Sequence, residues 1–173
     1  MPPTLLALLR IIHILAAVFW VGAALFVAAF LMPALRAAGP AAGPVMQQLT
    51  QARRLPQWMM VATVVTLLSG AVLYWGAARV GGPAWLGSGP GQAFGLGGVL
   101  SLAAGVLATA VNAPTGKRLG ALGAALATAG RPPSAEETAL LQRLQRRLAR
   151  AAWLGVALLV LATVAMAAAR YVR

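Results

Sequence analysis

Apolar positions in this chain collect into four long blocks, 11–32, 57–76, 92–111 and 151–169, none of which contains a charged residue. Each is close to the roughly 20 residues that cross a bilayer as a helix. With their flanks, the predicted spans run over 5–32, 57–76, 92–111 and 151–170. Proline and glycine punctuate the intervals. Pro33 closes span one, because a proline inside a helix removes one backbone hydrogen bond. Residues 37–44, Ala-Ala-Gly-Pro-Ala-Ala-Gly-Pro, read as a flexible turn. Residues 45–55 predict a short helix leading to Pro56, a helix-start proline for span two. Residues 81–91 are dense in glycine and proline and predict an irregular loop, with Trp85 at headgroup level. Span three is expected to stop near Asn112-Ala113-Pro114-Thr115-Gly116, with a separate surface helix over 117–129 and a break at Arg131-Pro132-Pro133.

Ser134-Ala135-Glu136-Glu137 has the form of a capping box, in which serine and the glutamate three residues later satisfy each other's backbone amides. Leu140, Leu141, Leu144 and Leu148 then mark one stripe of an amphipathic helix, and nothing interrupts it before span four. The pattern predicts one long helix whose first part, 134–150, lies outside the membrane. The fold expected is all-α: a single-domain integral membrane four-helix bundle with a long amphipathic extension before the fourth span.

Composition agrees. The chain is 61% hydrophobic and 9% charged, against about 25% charged in soluble domains. The first block is too long for a signal-peptide core and is expected to be retained as a helix. The net charge of +12 would suggest nucleic acid on a soluble protein, but here the bases flank spans and set orientation. Ten bases (Arg36, Arg53, Arg54, Lys117, Arg118, Arg131, Arg143, Arg146, Arg147 and Arg150) fall between spans one and two or three and four. Four (Arg10, Arg79, Arg170 and Arg173) fall on the other side. The positive-inside rule puts the ten in the cytoplasm and both termini outside. The chain has no cysteine, so disulfides and thiolate metal sites are excluded.

Small and hydroxylated residues recur where helices are expected to touch, as membrane packing favours. Gly97, Ser101, Gly105 and Thr109 form a stripe on span three, with Asn112 one turn on. Thr63, Thr66 and Gly70 share a face of span two, near Ser69 and Tyr74, and span four offers Gly155 and Thr163. No span carries an acid or a lysine, which argues against a proton-relay pump or an ion-coupled transporter.

One histidine, His13, stands near the start of span one. An ionisable group in a membrane helix is a site hypothesis by default. His13, Ala17, Trp20, Ala24 and Val27 share a face, with Arg10 three residues earlier. His13 is expected about one turn below the outer interface, where Arg10 can snorkel to the headgroups. Three roles are open: an interhelical hydrogen-bonder, a ligand to haem iron or copper, or a proton-transfer group. Of the methionines available to complete a copper site, Met1 and Met166 fall on the outer half with His13, whereas Met59 and Met60 start span two at the other end.

The run His13 to Gly22, with Trp20 seven residues after the histidine and then Pro33 and Arg36, resembles the first helix of the copper-resistance D superfamily of bacterial membrane proteins. It is also similar to the first helix of the J-type protoporphyrinogen oxidases of haem biosynthesis, whose matching histidine is thought to bind haem. Ala113-Pro114-Thr115-Gly116-Lys117-Arg118-Leu119, the Arg/Leu-rich helix 140–150 and Met166-Ala-Ala-Ala-Arg170-Tyr171 resemble four-span relatives in that superfamily. Copper-resistance proteins carry further His or Met positions, and the oxidases a lysine in a later helix, whereas the one lysine here, Lys117, falls in a loop. The resemblance implies a four-helix bundle in the bacterial inner membrane with His13 at its outer end. The expected function is a non-catalytic binding protein holding haem b or copper at His13, with Arg10 and Trp20 beside it. The alternatives are a cofactor-free accessory or scaffold subunit, and a redox enzyme of haem synthesis. The small-residue stripes permit a homodimer or a larger membrane complex without requiring one; the lipid bilayer is the expected partner, and no nucleic acid is expected.

Overall fold

The computed structural model describes residues 1–172, apart from the side chain of Pro40; Arg173, counted above with the terminal-side charges, lies outside the described residues. The described chain is all-helical. Four helices are long and apolar enough to cross a membrane: α1 (Pro3–Ala38), α3 (Leu55–Leu86), α4 (Gly89–Ala129) and α5 (Ala135–Tyr171). A short helix, α2 (Ala42–Gln47), lies between the first two. Consecutive long helices run antiparallel. α1 packs chiefly on α3 and α4 chiefly on α5, while α3 against α4 and α1 against α5 close the bundle.

Large apolar side chains cover the outside: Leu15, Val18, Phe30, Leu68, Val99 and Val164 are all more than half exposed. Water would penalise such a surface, whereas hydrocarbon does not. The interior is built from small and polar residues, with Ala62, Thr63, Thr66, Ser69, Ser101, Ala104 and Ala162 buried. Thr109 and Thr163 depart from the expected stripes. Both are exposed, and their hydroxyls donate to the carbonyls of Gly105 and Leu159 one turn back, which satisfies them without a neighbouring helix.

One buried layer joins all four spans, made of Trp20, Ala62, Ala104 and Leu159. Leu159 lies nine residues from Arg150 and eleven from Arg170, about 14 and 17 Å along the helix. The layer therefore sits near the middle of a 30 Å hydrocarbon slab. His13 lies seven residues from Trp20 toward the terminal end, about 10 Å from that layer, and Arg10 about 15 Å, level with Arg170.

Four sequence expectations are corrected. Span one does not end at Pro33: the helix widens into a π-turn over Val27–Leu31 and continues to Ala38. Span three likewise passes through Asn112-Ala113-Pro114 by a π-turn over Ala108–Asn112 and continues to Ala129, so 117–129 is no separate helix. In both, the proline stands two residues past the wide turn. That turn relieves the proline ring of the carbonyl it would strike and absorbs its missing N–H. Residues 81–91 are not an irregular loop. α3 runs on to Leu86 and α4 begins at Gly89. Gly82 takes φ +60° just before Pro83, a conformation glycine adopts without a Cβ penalty, so the helix kinks and restarts. Ser88 then caps α4 by accepting from the Gly91 amide, and Trp85 packs edge-on against Tyr74, 5.2 Å between ring centres. Residues 37–44 are helical turns rather than a flexible link: α1 ends at Ala38, a 3₁₀ turn follows over Gly39–Ala41, and α2 starts at Ala42.

The capping box forms as the sequence implies. Ser134 accepts from the Glu137 amide, and Glu137 accepts from the Ser134 amide at 2.7 Å. α5 is then one helix through the extension and span four.

Candidate functional site

The site forms where α1 crosses α3. His13 Nδ1 lies 2.9 Å from the Thr66 carbonyl oxygen and 3.2 Å from Ser69 Oγ. A carbonyl can only accept, so Nδ1 carries the proton and donates to Thr66. In the neutral ring this leaves Nε2 as a lone pair. Ser69 is held by its own bonds, donating to the Val65 carbonyl at 2.5 Å and reaching the Thr66 carbonyl at 3.2 Å, so its oxygen can accept from Nδ1 as well.

Gly70 makes the approach possible. A Cβ placed there would lie 2.8 Å from His13 Cε1 and 3.2 Å from Nδ1, closer than carbon contacts allow, so the imidazole occupies the space any side chain at position 70 would take. The sequence placed Thr66 and Gly70 on a packing stripe but did not pair them with His13. The usable signal was a glycine and two hydroxyls on one side of span two, a notch sized for a planar side chain from elsewhere.

One polar atom in the site is unmatched. Hydroxyls in these spans normally bond one turn back, as Thr63 does to Met59 and Ser69 to Val65. Thr66 Oγ1 is buried and has no partner. An unsatisfied buried hydroxyl costs about 1–3 kcal/mol.

The other predicted site residues stand apart. Arg10 is exposed one turn toward the terminus. Trp20 is 3% exposed, two turns deeper in the mid-bundle layer. Neither hydrogen-bonds the imidazole, whose partners among the described residues are Thr66 and Ser69. A Cβ on Gly76 would meet the Met1 methyl, and one on Gly97 the Met166 side chain, so Met1 packs on α3 beyond the His13 crossing and Met166 packs between α4 and α5. Among the described residues no group of three His, Cys, Asp or Glu side chains could hold a metal ion. No protein-family model, curated protein or solved structure matches the chain.

Proposed function

We propose that this four-span membrane protein is a binding protein that presents His13 Nε2 to the iron of haem b. The carrying observation is the bond from His13 Nδ1–H to the Thr66 carbonyl. Histidines that ligate metals commonly donate their other ring N–H to a carbonyl or carboxylate, which fixes the tautomer and aims the lone pair. The orphaned hydroxyl belongs to Thr66, the residue whose carbonyl accepts from His13, and a polar group of a ligand would satisfy it. Haem suits this chain better than copper. The macrocycle supplies four ligands of its own, so one imidazole suffices, whereas a copper ion needs several protein donors and both nearby thioethers are packed elsewhere. Bound haem would supply reversible one-electron chemistry or gas binding at the iron. Arg10, level with the headgroups, is placed to meet an anionic substituent.

The test is the absorption spectrum of protein purified from its native membranes. A Soret band that disappears in His13→Ala and survives in Gly98→Ala, a position with open space around it, supports the reading; colourless protein from haem-replete membranes overturns it. A second reading is favoured by the fit of the ring against Gly70, in which His13 is a structural clasp and the protein a cofactor-free scaffold subunit. Colourless protein that co-purifies with a larger complex, and whose His13→Ala variant loses thermal stability, would establish that reading.

A further inference from the structure

α1 and α5 touch least of the neighbouring pairs that close the bundle, and at the loop end they part into a groove. Its deeper section is lined by Ala28, Met32, Pro33, Leu148, Ala152 and Trp153. The section above it is lined by Arg36, Gln142, Gln145 and Arg146. Arg36 and Ala149 belong to both, so the two sections are continuous.

Depth divides the groove chemically. Measured along the helices from the Trp20–Leu159 layer, Trp153 lies about 9 Å out and Ala28 about 12 Å, within the hydrocarbon. Arg146 lies about 20 Å out and Arg36 about 24 Å, at headgroup depth. The apolar lining therefore lies at acyl-chain depth and the two guanidiniums at phosphate depth. The π-turn over Val27–Leu31 and Pro33 shape the α1 wall of this section.

Charge favours an outside anion. The chain has two acids against fourteen bases. Glu137 is taken by Arg131 through two bonds of 2.8 and 2.9 Å, and among the described residues no other ion pair forms. Arg36 and Arg146 are exposed side by side on one groove and form no ion pair among the described residues; Glu136, the other acid, stands ten residues before Arg146 on α5, about 15 Å along the helix. We infer that this groove between the first and fourth spans binds one anionic phospholipid, its phosphate held by Arg36 and Arg146 with Gln142 and Gln145 as further donors, and an acyl chain laid over Ala28, Met32 and Trp153.

Trp153 supplies the readout. Full-length protein in uncharged detergent micelles is titrated with phosphatidylglycerol brominated in its acyl chains, and separately with phosphatidylcholine brominated in the same way. The Trp153 signal is the difference between the wild type and Trp153→Phe. Phosphatidylglycerol is expected to quench it at roughly 30-fold lower concentration than phosphatidylcholine. The preference is expected to vanish in Arg36→Gln/Arg146→Gln, to persist in Arg36→Lys/Arg146→Lys, and to be unchanged in Lys117→Gln/Arg118→Gln. Equal quenching by the two lipids in the wild type overturns the inference, and so does equal loss from the Lys117/Arg118 double variant, which would reveal diffuse charge attraction. Displacement of the lipid by millimolar glycerol phosphate also overturns it, since the site would then be one for soluble phosphate.

Discussion

At the scale of single residues, His13 and Gly70 form a matched pair. The imidazole needs the missing side chain, and α3 needs the imidazole to fill the notch. Gly70→Ala would place a methyl 2.8 Å from His13 Cε1. Overpacking of this kind costs about 1–3 kcal/mol, so a clear fall in thermal midpoint is expected in detergent. Gly22→Ala and Gly98→Ala, where an added Cβ meets nothing within 4 Å, should be neutral or slightly stabilising because alanine loses less backbone entropy. If all three behave alike, the close fit at Gly70 is wrong. Removing the His13 ring leaves both a void and the lost bond to Thr66. Such interhelical bonds average about 0.6 kcal/mol in membranes, so most of the effect of His13→Ala on stability should come from the void. His13 was legible as a candidate because no other residue of its type is present. Its partners were not, since helical periodicity gives the face of each span but not which faces meet.

At the scale of elements, the amphipathic extension, the capping box and the four spans were readable from local pattern. The ends of the helices were not, and the reason is physical. Pro33 and Pro114 look like stops because proline ends helices in water, where freed carbonyls are hydrated. Here the helix past Pro114 packs on α5, and the π-turn before each proline removes its clash, so the chain keeps its helix. The extension makes its own prediction. Glu137 has its carboxyl lowered to about 2, first by the hydrogen bonds from Arg131 and then by the Ser134 amide. A carboxylate depressed on folding contributes stability that is present above its unfolded value, near 4.3, and is lost as pH falls through about 2. The first turn of α5 should therefore loosen between about pH 4 and 2, and the Glu137 carboxyl resonance should report it. In Arg131→Gln that titration should move up toward the ordinary glutamate range. Separately, Ser134→Ala should cost about 1 kcal/mol of local helix stability, visible as faster hydrogen exchange over residues 135–140.

At the scale of the whole molecule, a skin of exposed apolar side chains, a lining of small residues and an uneven set of bases together describe a bundle whose surroundings are lipid. The loop end bears Arg36, Arg53, Arg54, Lys117, Arg118, Arg131, Arg143, Arg146, Arg147 and Arg150. We propose on that asymmetry that both termini face outward: a reporter active only in the cytoplasm should be silent when fused to the C-terminus, and active at that position if the orientation is reversed. The register between α1 and α3 depends on the crossing at His13, and so does the reading of His13 Nε2 as an open ligand position. Because the chain has a single histidine, ¹⁵N-histidine labelling of cofactor-free protein gives one imidazole spectrum. The most direct measurement is the tautomer it shows: the proton on Nδ1 with Nε2 bare is the predicted result, and the proton on Nε2 would contradict the bond to Thr66 and the ligand position built on it.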